Sequence, residues 1–333
     1  MSAARVLKAE LHVHIEGTMP PALARRIAAR NGISLDPKLF ADEARYAWTD
    51  FSDFLSAYDA VSACVRRSAD LSDIVHAYLG AASDEGAIYV EFFASPDHAA
   101  ACGLSYVDML AGLADGIARA ERERGIVGRI VVVAIRHLGP ERAEAVAGAM
   151  ARHPHPHVVG FGLAGDETCH RPRDFRAAFH RASDLGLGCT AHAGEVAGAE
   201  SVRAALDDLP LSRVGHGVRA IEDPKLVERI ARDGIALEIC PGSNLALGLY
   251  PDVASHPLRH LIDVGCRVTL GSDDPPYFGT SIGREYARAE IGFGLDRDAL
   301  LRVTRTAIQS SFADAATKSR LLAKVAQDAS LSL

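Results

Sequence analysis

Eight short runs rich in β-branched and aromatic residues recur along the 333-residue chain, and helix-length amphipathic stretches lie between them. In order they are KAELHVH (8–14), AIYVEFFAS (87–95), GRIVVVAIRH (128–137), HVVGFGLAG (157–165), GCTAHAGE (188–195), RVGHG (213–217), IALEICPGSN (235–244) and RVTLGSDDP (267–275). Parallel strands need crossovers, and a parallel sheet must be covered on both faces. Eight strand-then-helix units therefore predict a closed parallel (β/α)8 barrel. Residues 30–83 exceed what one unit needs and read as an excursion of extra helices inserted after the first strand, where they can roof the barrel. The tail, 296–333, is helical in pattern. No Pro-, Gly- or Ser-rich linker and no further repeat divides the chain, so it reads as one domain over 1–333.

Charge and cysteine usage narrow the function. With 36 Lys+Arg against 43 Asp+Glu, the net charge of −7 excludes a nucleic-acid binder driven by overall basicity. No run reaches the roughly 18 apolar residues of a membrane span, and MSAARVLKAELHVH has no signal-peptide core, so neither membrane insertion nor export is expected. Cys64, Cys102, Cys169, Cys189, Cys240 and Cys266 show no C-x-x-C spacing, which fits reduced packing thiols in a cytoplasm.

Reactive groups of parallel barrels sit at the C-terminal ends of strands. There the chain carries His12 and His14, His192 and Glu195, His216, and Asp273 with Asp274. Residues two apart on a strand share a face, so His12 and His14 can point together into the barrel mouth. With His192 and Asp273 they make three imidazoles and a carboxylate, a donor set suited to one zinc ion with a place left for water. Adjacent carboxylates point oppositely, which leaves Asp274 free to hydrogen-bond a substrate while Asp273 faces the metal. Gly194 permits a sharp turn that brings Glu195 back into the pocket, where burial and an ion would tune it as a proton carrier. Elsewhere the reading is plainer: His153, His155 and His157 as a solvated loop, His256 and His260 as helix-surface residues. Trp48, Phe51, Phe54, Leu55 and Tyr58 read as core packing before lining for a flat aromatic ligand.

The segments KAELHVHIEGT, GFGLAGDE, TAHAGE, RVGHG, LEICPGSN and TLGSDDPPYF, in this order, resemble the adenosine/adenine deaminases of the amidohydrolase superfamily. The resemblance implies a TIM barrel with one catalytic zinc held by His12, His14, His192 and Asp273. It further implies that His216 orients and deprotonates the water, Glu195 protonates purine N1, Asp274 bonds near N7, and the Gly165 backbone donates near N3. Zinc hydrolysis would replace the 6-amino group of a small purine by oxygen. Deamination of adenosine or 2′-deoxyadenosine is the first expectation, pulled by LAGDE. Adenine is the alternative, pulled by Glu16 where adenosine enzymes more often carry an Asp associated with the ribose. A modified adenosine such as aminodeoxyfutalosine follows, since Gly242 and Gly271 stand where relatives carry larger residues and could widen the pocket. A non-catalytic purine-binding relative and a two-metal hydrolase of the same barrel are the remaining readings. The first conflicts with the intact polar set, the second with the absence of lysine at the end of GFGLAGD.

Overall fold

The computed structural model describes Ala3 and residues 6–330, so the ends of the predicted 1–333 domain and the last three residues of the 296–333 tail lie outside the described residues. Eight strands form one all-parallel sheet in sequence order: β1 (Lys8–Glu10), β2 (Ala87–Ala94), β3 (Val127–Ile135), β4 (Val158–Ala164), β5 (Gly188–Ala193), β6 (Arg213–His216), β7 (Ala236–Ile239) and β8 (Arg267–Leu270). Their near-continuous burial is what a sheet covered on both faces requires. The sheet closes just beyond the ends of β1 and β8, where His14 N–H donates to Asp273 O (3.0 Å) and Asp273 N–H to His12 O (3.1 Å). This is the predicted (β/α)8 TIM barrel, and its seam runs through the candidate metal ligands.

All eight predicted strands are present, and several stop early. The ladder of β1 ends at Glu10, and the chain continues through isolated bridges, Val13 with Asp273 and His14 with Phe93. β7 and β8 give way to the short helices Pro241–Ala246 and Pro275–Phe278. Proline has no N–H for a ladder and is pre-set for the first helical turn, so CPGSN and DDPP turn where a strand pattern would run on.

α1 (Pro21–Arg30) follows β1 and ends where the excursion begins, and the excursion itself contains α2 (Phe51–Ser62) and α3 (Ser68–Asp84). α3 returns the chain to β2 and packs on the helix Tyr106–Arg124, with the backbone at Gly112 and Gly116 so near Ser68 and Ser72 that a Cβ there would collide. α2 crosses the C-terminal mouth of the barrel. At the opposite end, Phe312 closes the floor against the Arg213 guanidinium, 3.5 Å from its ring centroid. Gly160 and Gly188 leave the space this ring fills. Above it, buried Arg213 pairs with Glu91 (2.6 Å) and Glu238 (2.5 Å). All six cysteines are free and five are buried, in line with packing roles. No helix among the described residues is long and apolar enough to cross a membrane.

Candidate active site

Each candidate ligand lies at or just past a strand end. The ring nitrogen Nε2 of His14 is 3.2 Å from Nε2 of His192, and Asp273 Oδ1 lies 3.4 Å from His14 Nε2 and 3.5 Å from His12 Nε2. His12 Nε2 is buried and has no hydrogen-bond partner. Four donor atoms thus converge within 4.8 Å of one another. The far side of the rings fixes their direction: His12 Nδ1 meets Glu238 Oε2 at 2.8 Å, and His192 Nδ1 meets Leu163 O at 3.0 Å. With Nδ1 donating outward, Nε2 keeps its lone pair for the centre, the usual arrangement behind metal-bound histidine. Three imidazoles and a carboxylate so placed fit a divalent metal. A second group, His12, His216, Cys240 and Asp273, shares two members.

Asp273 and His216 both adopt left-handed backbone, φ +61° and +57°, a conformation rare for side chains other than glycine. These bends take Asp273 out of the pleat, so it meets the histidines while Asp274, one residue on, reaches the cavity wall. Asp274 Oδ1 is buried without a partner. Gly17 makes room for it, since a Cβ there would lie 1.7 Å from that oxygen. Burial first, then the charges of Asp273 and Glu16, raise the Asp274 carboxyl well above its ordinary range.

Glu195 follows the positive-φ turn at Gly194 (φ +71°). Its Oε1 stands 3.6 Å from His216 Nε2. The turn is held by Glu167, whose carboxylate accepts from the N–H groups of Gly194, Glu195 (3.0 Å), Val196 (2.9 Å) and Ala197 (3.0 Å) and from the Ser201 hydroxyl. Burial, reinforced by Asp273 and Glu167, pushes the Glu195 carboxyl well above its ordinary value. Burial and the neighbouring His12 push His216 down to about 3.

These groups surround a cavity of about 150 Å³. Its polar wall includes His14, His192, Glu195, His216, Asp273, Asp274 and Gly165, the last at φ +93°. Phe51, Phe54, Leu55 and Tyr58 of α2, with Phe278, form an apolar roof. The predicted stripe therefore lines the cavity as well as packing, except Trp48, which lies outside and donates from Nε1 to Tyr277 O (2.9 Å). Glu16 is not among the lining residues. Its Oε1 accepts from Ser95 N–H at 2.8 Å, and its Oε2 lies 3.5 Å from the hydroxyl of Tyr58, which does line the cavity.

Two expectations are corrected. Gly242 and Gly271 do not widen the pocket: a Cβ at Gly271 would strike His12, and one at Gly242 would strike Glu285. Both allow close backbone packing instead. His256 is not a helix-surface residue but is buried at 4% exposure, whereas His260 is exposed. The His153–His157 loop lies away from the barrel mouth, half-buried to exposed, as expected of a loop. Sequence reasoning passed over Glu238, Glu167, Asn244 and the lining residue His98. A glutamate inside the apolar run IALEIC was the available signal for Glu238, because a buried charge needs a partner.

The chain belongs to the adenosine deaminase family, whose model matches residues 7–328. It is accordingly a hydrolase that deaminates a purine. Relatives named adenine deaminase include those of Chelativorans sp. (49% identical over 96% of this chain and 98% of the relative) and Agrobacterium fabrum (48%, same coverage). The crystal structure of an adenine deaminase from Arthrobacter aurescens superposes with a TM-score of 0.89 at 32% identity, covering 96% of this chain and 98% of that one. An amidohydrolase from Burkholderia ambifaria with bound zinc matches with a TM-score of 0.89 at 25% identity, over 99% and 93% of the two chains.

Proposed function

We propose that the chain hydrolyses adenine to hypoxanthine and ammonia in the cytoplasm, with zinc as its single metal. The observation that carries this reading is the near-full-length similarity, 48–49% identical, to proteins named adenine deaminase. The nucleoside expectation drawn from LAGDE yields to it. Two features of the site support the free base. The cavity volume falls below the roughly 300–1,000 Å³ common for drug-sized ligands. Glu16, standing where a ribose-associated Asp is more common, is engaged with Ser95 rather than lining the cavity.

When bound, the metal supplies Lewis acidity that makes water a nucleophile near neutral pH. His12, His14, His192 and Asp273 hold it, and Glu238 and Leu163 O orient two of the rings. Glu195 carries a proton to N1 of the purine, which makes C6 electrophilic, and a proton from the added water passes to the amino group so that nitrogen leaves as ammonia rather than as amide anion. The raised pKa of Glu195 suits the first transfer. His216 stands on the side from which oxygen arrives, Asp274 hydrogen-bonds the imidazole edge near N7, and Gly165 N–H donates near N3. The roof of α2 keeps bulk water from the reacting face.

Purified protein assayed on adenine, adenosine and aminodeoxyfutalosine, following ultraviolet absorbance and ammonia release, is expected to favour adenine in kcat/KM by at least about a hundredfold. Equal or better turnover of a nucleoside overturns the assignment.

A further inference from the structure

A neutral histidine carries its proton on one ring nitrogen or the other, and what His216 can do to an incoming oxygen depends on which. Three hydrogen bonds behind the ring bear on the choice. Leu258, at the start of the helix Leu258–Asp263, points its backbone N–H at Nδ1 of His256, 3.2 Å away. A backbone amide can only donate, so Nδ1 accepts and the proton of neutral His256 lies on Nε2. That Nε2 is 3.1 Å from Oδ1 of Asn244. An amide side chain accepts at one end and donates at the other, and its Nδ2 lies 3.4 Å from Nδ1 of His216. Donation thus runs in one direction from the Leu258 backbone to His216. Both intermediate residues are buried, Asn244 completely, so solvent does not compete for these groups. Nδ1 of His216 is left as an acceptor. Its Nε2, buried and without a hydrogen-bond partner, faces Glu195 and Asp273.

We propose that Asn244 and His256 are positioning residues that hold His216 as its Nε2–H tautomer, so that this ring enters the reaction as a hydrogen-bond donor. A nitrogen that already bears a proton does not take another from water without forming imidazolium. Of the two roles the resemblance implies for His216, orientation is retained and deprotonation is not: the water's proton goes to Glu195 once that carboxyl has given its own to N1. The functional consequence rests on the deaminase reading; the tautomer itself does not.

The test is the ring-nitrogen NMR spectrum of uniformly labelled, metal-loaded protein, with His216 assigned by its loss in His216→Gln. Wild type is expected to show a pyrrole-like Nε2 and a pyridine-like Nδ1. Asn244→Asp keeps the side-chain shape but replaces the donating end with an accepting carboxylate, which should place a proton on Nδ1. On adenine the same variant should lose about tenfold to a hundredfold in kcat with KM within about threefold. His256→Ala frees the amide to flip and should mix the two patterns, and His256→Gln, which can still donate to Oδ1, should restore the first. A proton on Nδ1 in the wild type, or unchanged His216 shifts in Asn244→Asp, overturns the proposal. These shifts are read without substrate, so an inactive wild type with the expected spectrum would count against the adenine assignment alone.

Discussion

Glu195 and Asp274 are two carboxyl groups buried in one small cavity beside a third, Asp273, and burial with mutual repulsion raises the first two. A carboxyl with a raised pKa can deliver a proton to a ring nitrogen, whereas its amide isostere cannot. Glu195→Gln is therefore expected to lower kcat by about 10²- to 10⁴-fold with metal content unchanged by elemental analysis. Full turnover in that variant would remove Glu195 from the role. His256 gives a second prediction. Burial, with Arg288 adding to it, lowers its pKa to about 4 from an ordinary 6.5, so the folded state binds fewer protons than the unfolded chain between those values. Its contribution is fully present above pH 6.5 and disappears as pH falls towards 4, a loss of about 3 kcal/mol at 1.36 kcal/mol per unit. Denaturant titrations across this window should show a shallower decline in His256→Gln than in wild type; parallel declines would contradict it. His12, His14, His192 and Asp273 were legible in the sequence because residue type and strand-end placement suffice to mark them. His256 was not, because exposure depends on what packs over the loop before Pro257.

Elements put these residues where they act by ending abruptly. The strand pattern of RVTLGSDDP runs past the observed end of β8, and the left-handed residue Asp273 followed by prolines turns the chain so that successive carboxylates serve one cavity. Period-2 reasoning located the carboxylates, while the bend that lets both face inward depends on bonds to the β1 segment. Gly17, in the short 3₁₀ turn Ile15–Thr18 after β1, tests this packing. Gly17→Ala would drive a methyl into Asp274 and towards Tyr58. Losing one substrate hydrogen bond is a loss of about 0.5–1.5 kcal/mol, so kcat/KM for adenine should fall about twofold to tenfold while metal binding persists. Unaltered kcat/KM would show that Asp274 can be displaced without consequence. The α2 stripe illustrates the ambiguity of periodicity: Phe54 packs on Tyr277 and Phe278 and also faces the cavity, and spacing cannot separate the two uses.

At the scale of the molecule, the barrel is joined at one end by the segments carrying His12, His14 and Asp273, and floored at the other by Phe312 and the Arg213, Glu91 and Glu238 cluster. The two ends communicate through one side chain, since Glu238 takes Arg213 on one oxygen and His12 on the other. A metal clamping both sides of the β1–β8 seam binds the folded state alone and should stabilise it by mass action. Chelation is expected to abolish turnover and to lower Tm, with both restored by stoichiometric zinc and a metal-to-chain ratio near one. A ratio near two, or a chelated protein of unchanged Tm, would contradict this account of the seam.

The sequence by itself determined the repeat of strand and helix, hence the barrel, and the donor types at the strand ends, hence a candidate metal-binding set. Both are local properties, written in hydrophobic period and in residues a few positions apart. Only the tertiary structure decided which groups stand behind the site: Glu238 reaches His12 across 226 residues, and Glu167 reaches the Glu195 turn across 28. Asn244 links His216 to His256 across two connections. Burial makes these contacts consequential, because a polar group removed from water must find a partner, and barrel closure determines which partners come within reach.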